Sequence, residues 1–274
     1  MNDKLADGEW DQHDKVYVAV APPKTLGADL LNKVASLLGK EILDTRLLLA
    51  GQIPRIVISS PNIETAGSIA QDLGIAGLVA FVCRDSELRN RSASFAAHTM
   101  RRGEKEVIFW DRRGREVRVG ADDTFLIIRG RMPSITQEKT STTKMKLNVP
   151  ATVLTGGIPI MRRVTKKTAK ESYQNEDFVR IFDRRSADPR VEILQNHVDY
   201  TFLGPDLTPS TPANFTIVVK KLREWFPLAI LDERLTRRYM ADVPVAGPAD
   251  ALEINCKLVY FSRLAIERGR VTLG

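Results

Sequence analysis

The hydrophobic positions change period along the chain, and the changes mark out its elements. In Lys15–Pro22 (KVYVAVAP), Val16, Val18 and Val20 alternate with Tyr17, Ala19 and Ala21, which is the pattern of a buried strand ended by Pro22-Pro23. Leu26, Leu30, Val34, Leu37 and Leu38 then recur at helical spacing as far as Gly39, and residues 41–50 predict a second helical piece closed by Gly51. Pro54–Ser60 is a short β-branched strand. Asn62 is placed to cap a helix carrying Ile63, Ala66, Ile69, Ala70 and Leu73 and ended by Gly74, and Leu78–Cys83 returns to strand. The order β-α-α-β-α-β predicts a small ferredoxin-like α/β sandwich over 15–92.

From Phe95 the period shortens to two. Glu106–Trp110 and Glu116–Val119 flank Asp111-Arg112-Arg113-Gly114-Arg115, where Gly114 suits a tight hairpin loop, and Thr124–Arg129 makes a third strand of an antiparallel meander. A Thr/Ser-rich exposed loop follows, then Met145–Leu154 as a strand confined by Pro150 to an edge or bulge. Gly156-Gly157 make a turn, Ile158–Val164 runs back, and the KKTAKES stretch is solvated. His197, Asp199 and Thr201 alternate along a further strand. The best-specified helix has Thr211 as N-cap and Pro212 at its first helical position. It buries Phe215, Val218, Val219, Leu222, Trp225 and Phe226, and Pro227 stops it. A last helix starts at Asp250, with Glu253 forming a capping box, and ends at Gly269, packing on one of the two modules.

These elements predict an α+β protein: a loose tail over 1–14, the sandwich over 15–92, an antiparallel meander or partly open barrel covered by an amphipathic helix over 93–240, and a linker with a C-terminal helix over 241–274. The meander and its covering helix resemble a bacterial pleckstrin-homology-like domain. The resemblance is carried by EVIFW, EVRV, TFLIIRGR, FVRIF, VEIL and the 212–226 helix, and covers about half the chain. It implies a fold and no activity, and the long basic insert departs from the family plan.

Composition sharpens this in one place. The formal charge is +7 over 274 residues, with 41 Lys and Arg against 34 Asp and Glu. Residues 139–170 hold Lys139, Lys144, Lys146, Arg162, Arg163, Lys166, Lys167 and Lys170 and no acidic residue; removing those eight leaves 33 basic against 34 acidic residues, so the basicity belongs to one segment. With Arg129 and Arg131 just before it, this segment is the candidate binding site. Its partner would be an acidic protein surface, a nucleic-acid backbone or an anionic lipid. Residues 133–172 contain no Phe, Tyr or Trp, which argues against base stacking. The bland alternative is a solvated face, paired with carboxylates from elsewhere in the chain.

Other chemistry is sparse. His197 and Asp199 form the one acid/base pair available to an enzyme working in a cleft between the modules, with no nucleophile or glycine-rich turn beside them. His13, His98 and His197 are scattered, so no metal site is expected. No cofactor is expected either: Lys15–Pro22 is not followed by GxGxxG, and Lys24-Thr25 lacks the glycines of a phosphate loop. Cys83 and Cys256 sit in apolar patterns and read as buried thiols. The acidic, polar start resembles no targeting segment and no run is long enough to span a membrane, so a cytoplasmic protein is expected. The sequence therefore supports a non-enzymatic binding or assembly protein ahead of an enzyme, with a structural subunit of a larger complex as a further reading.

Overall fold

A computed structural model describes residues 14–147, 161–237 and 242–272, with side chains over 14–132, 175–237 and 242–269. Residues 1–13 of the tail expected over 1–14, Pro150 and the Gly156-Gly157 turn lie outside the described residues. The chain divides into two units, one of residues 1–132 with 177–274 and the other of Pro133–Glu176. The fold is α+β, and among the described residues no sheet closes into a barrel.

The first three strands are β1 (Val16–Val20), β2 (Arg55–Ser60) and β3 (Ala80–Arg84). They form a sheet of order β2-β1-β3 in which β1 is antiparallel to both neighbours. As the central strand, β1 is buried along its whole length. Helices α1 (Ala28–Leu38) and α3 (Ile63–Ile75) supply Leu31, Val34, Leu38, Ala66 and Leu73 to the core on one side of it. Gly39 closes α1 in the left-handed conformation, and Asn62 caps α3 by accepting from the Thr65 N–H. Gly74 does not end α3; the chain turns at Gly77, whose φ of 103° an L side chain rarely adopts. Helix α2 (Ile42–Leu49) buries only Thr45 and Leu49. It leaves Ile42, Leu43 and Leu47 at least half exposed.

A short helix, α4 (Asp85–Arg89), leads to β4 (Phe95–Ala97). Strands β5 (Thr99–Arg102), β6 (Glu106–Trp110) and β7 (Glu116–Gly120) are the antiparallel meander, with Gly114 at φ 77° in the hairpin. The meander does not run on into the next strand. That strand, β8 (Thr124–Leu147), belongs instead to a mixed five-stranded sheet with β9 (Met161–Asp183), β10 (Val191–Leu194), β11 (Ile230–Leu235) and β4, in the order β11-β8-β9-β10-β4. The β4–β10 and β8–β11 pairs are parallel.

Both faces of this sheet are covered. Helix α5 (Thr211–Trp225) shares one core with both sheets: Phe215, Val218, Leu222 and Phe226 meet Val179, Ile181, Val191 and Ile193 as well as Met100, Phe109 and Val119. Its N-cap is Ser210 rather than Thr211, accepting from the Ala213 N–H; Pro212 moves one place into the helix without cost, since proline has no N–H and the first-turn positions need none for an intrahelical bond. The opposite face, with Phe125, Phe178 and Phe182, packs on helix α6 (Pro248–Thr272) through Leu252, Cys256, Val259 and Tyr260. The other side of α6, with Ile254 and Leu258, packs on Tyr17, Ala19, Phe81 and Cys83. The last helix thus serves both sheets, not one. It also starts before Asp250 and runs past Gly269.

The second unit contains, among the described residues, only the remaining lengths of β8 and β9. The exposed loop expected over 140–144 and the solvated KKTAKES stretch are strand here. Pairing of β8 with β11 runs from Leu126 to Gly130, and pairing of β9 with β10 from Phe178 to Ile181.

Candidate functional site: a basic two-stranded ribbon

The basic residues fall on two hydrogen-bonded neighbouring strands. Lys139, Lys144 and Lys146 are positions of β8, and Arg162, Arg163, Lys166, Lys167 and Lys170 are positions of β9. Residues scattered over 32 places in sequence therefore belong to one ribbon, inside the unit Pro133–Glu176. Their side chains lie outside the described residues.

Arg129 and Arg131 belong to the other unit, and their charge is already engaged. Arg129 Nη2 lies 3.1 Å from Asp177 Oδ2, and its Nη1 lies 3.1 Å from Glu233 Oε1. Arg131 Nε donates to Asp177 Oδ1 at 2.8 Å. Alternate residues of a strand share a face, so Arg129 and Arg131 bracket the one carboxylate of Asp177 on β9. These two arginines tie β8 to β9 and β11, a use the sequence did not reveal because Asp177 and Glu233 are distant in the chain.

The strand expected through His197, Asp199 and Thr201 does not form. Residues 195–197 turn, and Tyr200–Asp206 is a 3-10 segment. Local polar groups win over a sheet ladder here: Asp199 accepts from the Thr201 N–H at 3.0 Å, and Tyr200 Oη donates to the Gln195 carbonyl at 2.6 Å. The Asp199 N–H donates to the His98 carbonyl, and His98 Nδ1 lies 2.6 Å from the His197 carbonyl oxygen. The Thr201 N–H holds the Asp199 carboxyl below its ordinary range, so it stays ionised near neutrality and is a poor base. His197 is exposed.

The strongest electrostatics are internal. Arg180 lies on the even-numbered face of β9 between Phe178 and Phe182 and is 4% exposed. Its Nε donates to Glu192 at 2.8 Å, and Nη1 and Nη2 grip both oxygens of Glu253 on α6. Burial opposes the charge, and the two carboxylates more than offset it, so Arg180 is held protonated. Glu253 is therefore an ion-pair partner, not the capping-box residue expected from its spacing. Nearby, the Lys257 ammonium reaches Asp188 at 2.9 Å and donates to the carbonyls of Glu87 and Asn90. A polar cavity of about 230 Å³ beside this network is lined by Arg91, Ser92, Arg180, Asp188, Glu192 and Glu253. Its charged groups already have partners: Arg180 meets Glu192 and Glu253 within the lining, while Arg91 pairs with Asp250 and Asp188 with Lys257 beside it.

Asp232 on β11 is a further buried charge, with its side chain fully enclosed. It accepts from Arg234 Nε at 2.9 Å, Arg234 Nη2 at 2.6 Å and Arg263 Nε at 2.8 Å, while Arg234 Nη1 donates to the Gln52 carbonyl at 3.1 Å. Burial alone would raise the Asp232 carboxyl, but the two guanidinium groups hold it below the ordinary range. Burial raises both thiols, Cys83 and Cys256, to about 12. Among the described residues no group of His, Cys, Asp and Glu could hold a metal ion, and no helix is long and apolar enough to cross a membrane.

No protein-family model, no curated protein and no solved structure matches this chain.

Proposed function

We propose that this chain is a non-enzymatic binding or assembly protein that contacts an anionic partner through the β8–β9 ribbon. The observation that carries the reading is the meeting, on two paired strands, of eight cations with no carboxylate anywhere in residues 139–170. Such a tract sets up a positive potential and releases counterions when it meets phosphates or carboxylates. Arg129 and Arg131 are set apart from the eight, since Asp177 and Glu233 share their charge. The test is charge reversal of Arg162, Arg163, Lys166 and Lys167 to Glu in the full chain. Retention on an immobilised polyanion such as heparin should be lost while the melting temperature is kept; retention at unchanged salt overturns the reading.

A second reading, a subunit of a larger complex, is supported by the apolar side of α2, where Leu43 is 66% and Leu47 is 64% exposed. Light scattering of the protein drawn from its native extract separates the two: a single-chain mass under conditions that preserve complexes argues against it. The strand expected to align His197 and Asp199 for catalysis does not form.

A further inference from the structure

We infer that the anionic partner is duplex DNA, entered through its major groove by the β8–β9 ribbon; this rests on the anionic-partner reading above and names its partner. Three features of the ribbon select this occupant.

The first is length. At about 3.3 Å per strand residue, Lys139 to Lys146 covers about 23 Å of β8 and Arg162 to Lys170 about 26 Å of β9. A duplex rises 3.4 Å per base pair, so the cationic stretch spans roughly seven base pairs.

The second is the distribution of positions. Lys144 and Lys146 occupy even-numbered positions of β8, and Lys139 an odd-numbered one. On β9, Arg162, Lys166 and Lys170 are even and Arg163 and Lys167 are odd. Strand residues of opposite parity belong to opposite faces, so both faces of the ribbon carry cationic positions. A flat anionic surface meets only one face of a ribbon laid along it. A ribbon set end-on against a membrane would leave its far cations about 23 Å away, well past the Debye length of about 8 Å. A groove differs from both, because its two phosphate walls flank whatever lies in it. The major groove of B-form DNA, about 12 Å wide, admits a two-stranded ribbon.

The third is what the tract lacks. With no aromatic residue over 133–172 it has neither the stacking platforms of single-strand binders nor the Trp and Tyr anchors of membrane interfaces. The major groove of an RNA duplex is too deep and narrow for side chains to read, which leaves B-form DNA.

The experiment measures binding of the full chain by fluorescence anisotropy to a labelled DNA duplex of about 20 base pairs. An RNA duplex and a single DNA strand of equal length are measured alongside, and phosphatidylserine vesicles by sedimentation. The DNA duplex should bind at least about tenfold tighter than the RNA duplex or the single strand at the same salt, with a log–log salt slope near −7 if all eight cations reach phosphates. Replacing Arg162, Arg163, Lys166 and Lys167 by Gln should flatten that slope by about 3.6, and replacing Lys139, Lys144 and Lys146 by Gln by about 2.7. The two variants draw on different strands, so misfolding of one, seen by thermal melting, leaves the other as the test. Equal or tighter binding to vesicles, RNA or single strands overturns the groove inference and leaves the anionic-partner reading standing. Absence of binding to all four at low salt also overturns the groove inference, while the anionic-partner reading stands or falls on the heparin retention described above.

Discussion

Replacing Asp232 by Asn removes a buried charge and little volume. In the native protein this carboxylate receives hydrogen bonds from Arg234 and Arg263 with its side chain wholly enclosed, and so ties β11 to α6, while Arg234 extends the link to Gln52. Removing one partner of a buried ion pair costs about 3–5 kcal/mol, because the remaining charge stays desolvated. Arg234 and Arg263 keep 22% and 26% of their side chains exposed, so both can partly rehydrate, and the lower end of about 3 kcal/mol applies. For a domain of this size that corresponds to a fall in melting temperature of about 6–12 °C. The pH dependence gives an independent check. The folded-state pKa of Asp232 lies below its unfolded value, so its contribution is fully present above the unfolded pKa of about 3.9 and is lost as pH falls through the lower folded value. Calorimetric scans of the native chain and the variant should therefore show a constant gap from neutral pH down to about 5 that closes only in stronger acid. The exposed pair of Asp206 and Lys221 supplies a control whose Asp206→Asn change should leave the scan unaltered. A fall of under about 2 °C on removing Asp232 would refute the reasoning, since it would mean that the arginines lose nothing when their shared carboxylate goes.

Other expectations test the packing directly. A Cβ at Gly130 would run into the Phe178 ring and come within 2.9 Å of Leu235 Cβ, so Gly130→Ala should cost about 1–3 kcal/mol in urea unfolding, by overpacking. Phe226→Ala empties a site at 0% exposure where α5 meets both sheets and should cost about 3–5 kcal/mol in the same assay. With both thiols raised to about 12 by burial, Cys83 and Cys256 should resist a thiol reagent at pH 8 and react only once the chain is unfolded in denaturant.

Local pattern decided most of the elements. The alternation of Val16, Val18 and Val20, the Asn62 cap, Gly114 in its hairpin and the apolar face of α5 each need only neighbours in sequence, and each appears where the chain predicts it. The misreadings share a cause. Residues 197–201 alternate like a strand, but Asp199 and Tyr200 satisfy backbone groups locally. The polar stretches 140–144 and 166–172 lack an apolar period, and each is strand as part of β8 or β9.

The sequence by itself determined the α+β character, the covering helix and the confinement of the net positive charge to residues 139–170, since these follow from periodicity and composition. Only the tertiary structure decided that β8 leaves the meander for a mixed sheet, that α6 is shared by two cores, and that the cations occupy two adjoining strands. It also decided that Arg129 and Arg131 are matched by Asp177 and Glu233, that Arg180 is matched by Glu192 and Glu253, and that Asp232 meets Arg263. The physical reason is range: a period or a cap is read over a few residues, whereas strand pairing and the neutralisation of a buried charge join residues tens of positions apart through space.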